Sequence, residues 1–195
     1  MRTMKSEHAN LQRRPFLTPI WLSAIGAFAA GIVALLALWA MWVWFTANST
    51  TVIVIRHAEK ATVSEPDPPL SAAGEARAEL LARMFGDTPG PGRLDAIYIS
   101  SALRNRMTAA PLAGRLGITP VVAPTEDPKG LARRVLRENS GKRVMVIGHV
   151  NTVPDIVAAL SDRRDIPPLD EKDFGIMYIV TVPRIGHANL LRVAY

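Results

Sequence analysis

From Ile20 to Phe45 the chain runs 26 positions without a charged side chain, and no other stretch limits its folding as strongly. Ala, Leu, Ile, Val, Trp and Phe dominate it. At about 1.5 Å per helical residue the run reaches roughly 39 Å, more than the hydrocarbon core of about 30 Å that a tilted helix has to cross. Trp21 at one end and Trp39, Trp42 and Trp44 at the other are all four tryptophans of the chain, placed as an interfacial aromatic belt. A buried core helix would be shorter and carry some polar positions. A cleaved signal peptide is the other reading, with Ala47-Asn48-Ser49 as small residues at the cut, yet its apolar region would be only about 7 to 15 residues. The sequence therefore predicts an uncleaved transmembrane helix over 20–45, behind a basic tail over 1–19.

Arg2, Lys5, Arg13 and Arg14 precede this segment, opposed only by Glu7, and the next basic residue is Arg56. The positive-inside rule puts that tail in the cytoplasm and the rest outside, in the periplasm or on the outer face of the inner membrane. Of 23 basic and 17 acidic residues, the tail holds four and one, which leaves 19 against 16, or about +3, for the remainder. No run of Lys and Arg with interleaved aromatics occurs, so nucleic acid is not an expected partner. The absence of cysteine excludes disulfides, thiolate metal sites and thiol nucleophiles.

Beyond a linker over 46–50, residues 51–195 alternate between the periods of strand and helix. Strand patterns cover Thr51–Ile55, Asp95–Ser100, Ile118–Val122 and Arg143–Ile147. Helical patterns cover Ser71–Phe85, Arg104–Leu116 (ended by Gly117), Leu131–Asn139 and Pro154–Leu160. This is the βαβ signature of a three-layer α/β/α sandwich with a mostly parallel sheet, while Met177–Val182 and Leu190–Ala194 read as a terminal hairpin.

Two of these strands end in histidine: Val52-Ile-Val-Ile-Arg56-His57 and Val144-Met-Val-Ile-Gly148-His149. Ligands of open α/β sheets bind beyond the carboxyl ends of the strands, so two imidazoles and a guanidinium can be aimed at one point. A phosphoryl group is the natural occupant, because arginine offers planar bidentate donors to a phosphate dianion. Arginines beside His57 also disfavour its protonated form and leave a ring nitrogen free to attack. Asn151 and Thr152 serve equally well as caps of the following helix or as substrate contacts. His8 and His187 read as exposed, and Arg163 and Arg164 as surface charges.

Taken in order, Arg56-His57-Ala-Glu59-Lys60, Asp67-Pro-Pro-Leu-Ser-Ala-Ala-Gly74, Ser100-Ser-Ala-Leu-Arg104-Asn-Arg-Met-Thr108-Ala109 and Gly148-His149-Val-Asn151-Thr152-Val-Pro154 resemble the histidine phosphatase (phosphoglycerate mutase-like) superfamily over residues 51 to about 160. The resemblance implies that His57 becomes a phosphohistidine, which water then hydrolyses. It also implies a phosphate pocket of Arg56, His57, Arg104 and His149, to which Asn151 is added. Arg104, and not Arg106, fits the family spacing Arg-x-x-x-Thr-Ala. The acid that protonates the leaving group stays open between Glu59 and Glu126, with Asp127 beside the latter.

A phosphomonoesterase acting on a small phosphorylated substrate, without metal or cofactor and anchored in the bilayer through 20–45, is the expected function. A phosphohistidine-protein phosphatase and a phosphoglycerate mutase-like phosphotransferase are the enzymatic alternatives. A membrane-anchored phosphate-binding module is the non-enzymatic one.

Overall fold

The computed structural model describes residues 20–47, 49–87 and 90–195. The chain divides at Val43/Trp44 into two compact units. The first holds the apolar helix α1 (Ile20–Ala47) up to Val43, and the side chains of this helix from Ala24 to Trp44 are exposed throughout. It is the one helix among the described residues long and apolar enough to cross a membrane. It runs two residues further than the uncharged segment, so Thr46 and Ala47 of the expected linker are helical, and Thr50 already belongs to a strand. The tail 1–19, the side chain of Trp21 and Asn48 lie outside the described residues.

The second unit is a six-stranded sheet, β1 (Thr50–Arg56), β2 (Ala96–Ile99), β3 (Val121–Val122), β4 (Arg143–Gly148), β5 (Ile176–Val182) and β6 (Asn189–Ala194), in the order β3-β2-β4-β1-β5-β6. The first four strands are mutually parallel; β5 runs antiparallel to β1, and β6 antiparallel to β5. Alternation along β1 assigns each residue to a face. Val52 and Val54 join Val144, Val146, Tyr178 and Val180 under α4 (Pro128–Glu138) and α5 (Val153–Ser161). Ile53 and Ile55 join Ile97, Ile99, Met145 and Ile147 under α2 (Ala72–Gly86) and α3 (Leu103–Leu116). A parallel strand buried on both faces has to read as a continuous apolar run, which is how Val52–Ile55 reads.

The ends of the elements have local causes. Ser71 caps α2 by accepting from the Gly74 N–H. Gly117, in the left-handed conformation at φ 64°, ends α3. Helix α4 begins at Pro128 and not at Leu131, because Asp127 accepts from the Gly130 N–H and proline suits the first helical position. Strand β3 is shorter than Ile118–Val122, since only Val121 and Val122 pair with β2.

Candidate active site

The register of β1 against β4 pairs Arg56 with Gly148, so the next residue on each strand is a histidine at the carboxyl edge of the sheet. The His57 N–H donates to the Gly148 carbonyl at 2.9 Å, and the two rings lie edge to face with centroids 5.3 Å apart. Gly148 fits closely here: a Cβ on it would meet Thr152 Oγ1 at 3.0 Å and Val153 Cγ2 at 3.2 Å, so both side chains would have to give way.

Arg104 lies in the first turn of α3 and touches both rings, with Nε donating to His57 Nε2 at 3.2 Å and NH2 to His149 Nδ1 at 3.4 Å. These contacts settle the tautomers. The Ala58 carbonyl, 2.7 Å from His57 Nδ1, can only accept, so Nδ1 carries the hydrogen and Nε2 presents its lone pair. Arginine can only donate, so His149 Nδ1 is the acceptor, and its Nε2–H donates to Ser100 Oγ at 2.9 Å. Burial pushes His57 down to about 4; the Ala58 carbonyl opposes this, and the charges on Arg104, His149 and Arg56 assist it. Burial and then Arg104 lower His149 as well. Both shifts favour the neutral imidazole.

Arg56 is buried at 3% exposure. Its NH1 donates to the Asp170 and Glu171 carbonyls at 3.1 and 2.8 Å, its NH2 to Glu171 Oε2 at 3.1 Å, and its guanidinium lies 4.0 Å from the Phe174 ring centre. Its Nε is buried and has no partner among the described residues. Arg106 turns away, donating to the Ser101 carbonyl.

The two glutamates differ. Glu59 receives Arg77 through Nε, at 3.0 and 2.9 Å to its two oxygens, and through NH2 at 2.7 Å, and Arg77 holds its carboxyl below the usual range. Glu126 is exposed and reaches His149 only by its charge. Asp127 is committed to capping α4. Asn151 is exposed at the rim. Of the two roles open to it, Thr152 takes the N-cap position of α5 without a capping hydrogen bond from its side chain; its Oγ1 accepts from the His149 N–H at 3.0 Å and so steadies the second histidine.

The fold brings in groups that the sequence did not single out. Thr108 Oγ1 accepts from the Ala58 N–H at 3.0 Å and donates to the Arg104 carbonyl at 2.7 Å, tying the backbone next to His57 to that of Arg104. In the sequence Thr108 marks only the spacing Arg-x-x-x-Thr-Ala, which carries no sign of this contact. Asn105 donates from Nδ2 to the Ile147 carbonyl at 2.8 Å, fixing α3 on β4. Asp67 accepts from the Leu103 N–H at 2.9 Å and from Arg104 NH1 at 3.3 Å. A cavity of about 380 Å³ lined by Lys60–Val63, Glu65, Pro66, Pro68 and Arg104 opens beside this pair. A larger one of about 670 Å³ lies between α4 and α5 and includes neither histidine.

An anion set against Arg104 would meet an unprotonated imidazole nitrogen, a second neutral imidazole and the amides that open α3. Comparison with known proteins gives a match over part of the chain. It is to the model of the histidine phosphatase superfamily, branch 1, over residues 52–126, the stretch that carries Arg56, His57 and Arg104. The fold of the α/β unit recurs in the protein histidine phosphatase SixA complexed with tungstate, at 20% identity and TM-score 0.59 over 74% of this chain and 96% of that one. It recurs in a mycobacterial glucosyl-3-phosphoglycerate phosphatase, at 12% identity and TM-score 0.58 over 73% and 97%. A phosphoserine phosphatase mutant from Entamoeba histolytica in complex with phosphoserine gives 16% identity and TM-score 0.56 over 72% and 94%. No curated protein sequence matches the chain. Identities this low show the fold and leave the substrate to the site.

Proposed function

We propose that the chain is a membrane-anchored phosphomonoesterase working through a phosphohistidine on His57. One observation carries this reading: a single guanidinium, that of Arg104, bridges the free Nε2 of His57 and the Nδ1 of His149. Bound in place of those contacts, a phosphoryl group takes its donors from Arg104, from the unpartnered Nε of Arg56 and from the α3 amides. His57 Nε2 then attacks phosphorus as the bond to the leaving oxygen breaks, and that oxygen takes up a proton. In the second half water attacks phosphorus and loses a proton as the phosphorus–nitrogen bond breaks, releasing inorganic phosphate and the free ring. Positive charge fixed around the equatorial oxygens supplies the stabilisation that such transition states need. His149, held by Ser100 and Thr152, is the second imidazole that the phosphoryl group would meet.

Hydrolysis is favoured over mutase chemistry because no large insertion that could cover a product awaiting rephosphorylation interrupts the α/β unit among the described residues. The likeness to SixA supports a phosphohistidine-protein phosphatase as the second reading. The bilayer is the proposed partner of α1, with the catalytic unit outside the cytoplasm.

Turnover of p-nitrophenyl phosphate by the full chain in detergent tests the reading, with His57→Ala as the comparison. Release of phosphate by the parent and its loss in the variant is the expected result, and equal activity in both would remove His57 from the chemistry. A panel of small phosphomonoesters and a phosphohistidine-bearing protein, assayed together, separates the two substrate readings.

A further inference from the structure

The leaving group needs a proton, and neither glutamate that the sequence offers is placed to give one. Glu59 is closed off by three contacts with Arg77, Glu126 is exposed with no hydrogen bond to either histidine or to Arg104, and Asp127 caps α4. Glu171 pairs with Arg56, and its side chain is 77% exposed. One carboxylate does reach the group that would hold the phosphoryl oxygens. The guanidinium of Arg104 offers Nε to His57, NH2 to His149 and NH1 to Asp67, so the carboxylate sits one guanidinium width from the free ring nitrogen. Asp67 stands between Pro66 and Pro68, both in the wall of the cavity that opens at Arg104, and Pro68 and Pro69 restrict the backbone that carries it.

We infer that Asp67 is the general acid of the phosphoryl-transfer step, delivering its proton to the leaving oxygen at the mouth of that cavity. The inference rests on the phosphohistidine reading above.

In the free protein the carboxylate occupies the seat of an anion, accepting from the Leu103 N–H at 2.9 Å and from Arg104. An incoming phosphomonoester takes both donors and sets its own negative charge beside the displaced carboxylate, which takes up a proton from solvent as the ester binds. As the bond between phosphorus and the leaving oxygen breaks and His57 Nε2 bonds to phosphorus, the Asp67 O–H transfers its proton to that oxygen and an alcohol departs. The resulting carboxylate then accepts a proton from the water that attacks the phosphohistidine, and releases it to solvent as inorganic phosphate leaves and the contacts with the Leu103 N–H and Arg104 form again. Lys60 and Glu65 are the other charged groups along this wall. They carry opposite signs and leave the exchange between Asp67 and Arg104 as the main change on binding.

The test uses Asp67→Asn in the full chain, since asparagine can still accept from the Leu103 N–H and preserve the end of α3. kcat/KM reports the first transfer step and is measured for aryl phosphates of increasing leaving-group basicity and for an alkyl phosphate. With p-nitrophenyl phosphate, whose leaving group needs no proton, the variant is expected within about threefold of the parent. With the alkyl phosphate it is expected to lose roughly 100-fold or more, in the range typical of general acid catalysis. Glu126→Gln and Glu171→Gln are expected to show no such dependence. A uniform loss across the series would overturn the assignment, as would the same leaving-group dependence appearing in either glutamine variant. Acid-labile labelling of the protein by a phosphomonoester separates this failure from that of the parent reading: an Asp67→Asn protein that labels normally but responds uniformly sinks only the acid, whereas a parent that never labels sinks the nucleophile.

Discussion

At the scale of single residues the site is a device for keeping an imidazole neutral beside positive charge. His57 is held at about 4 by burial and neighbouring cations, whereas in an unfolded chain it titrates near its ordinary value of about 6.5. Between those values the unfolded chain binds a proton that the native one refuses, so this group lowers stability as pH falls from about 6.5 toward 4 and adds nothing further below. Urea unfolding of the full chain in detergent should show this slope, and His57→Gln should flatten it; His149, lowered in the same direction, leaves part of the slope in place. Arg104 makes the sharpest distinction among the arginines. Arg104→Ala should cost roughly 100- to 1000-fold in kcat, as removal of one preorganised charge donor does elsewhere, and Arg106→Ala less than about threefold, both read with p-nitrophenyl phosphate.

Secondary elements bring these residues together, and here the reach of the sequence can be judged. The two strands ending in histidine were legible because a fully buried parallel strand has a distinctive apolar run, and because parallel neighbours in register end side by side. Arg104 was legible from its spacing to Thr108. What escaped were contacts between segments far apart in the chain, such as Asp67 on the end of α3, Ser100 on His149 and the Asp170–Phe174 loop around Arg56, because no local period encodes which loops meet. Thr108 shows how much hangs on one such contact. Its hydroxyl serves the buried Ala58 N–H and the Arg104 carbonyl together. Thr108→Val keeps the shape and strands the amide, which should cost about 1 to 3 kcal/mol in urea unfolding and lower kcat without a comparable change in KM.

For the whole molecule, helix α1, exposed from Ala24 to Trp44 and long and apolar enough to cross a membrane, is the proposed anchor of the α/β unit. A reporter that functions only outside the cytoplasm, fused after Tyr195, should be active, while removing Arg2, Lys5, Arg13 and Arg14 together should weaken or invert that orientation; a reporter active only on the cytoplasmic side would reverse the topology. Within the α/β unit, two helices on each face leave the carboxyl edge of the sheet open. Substrate choice falls to the loops there, and proteins of the same fold carry names with quite different substrates.

The central claim is a covalent bond between His57 and phosphorus, and rapid acid-free quenching of the full chain during turnover of a radiolabelled phosphomonoester tests it most directly. The account predicts a label on the protein that is stable in alkali, lost in acid and absent from His57→Ala. A label that persists in His57→Ala, or full turnover by that variant, would contradict it.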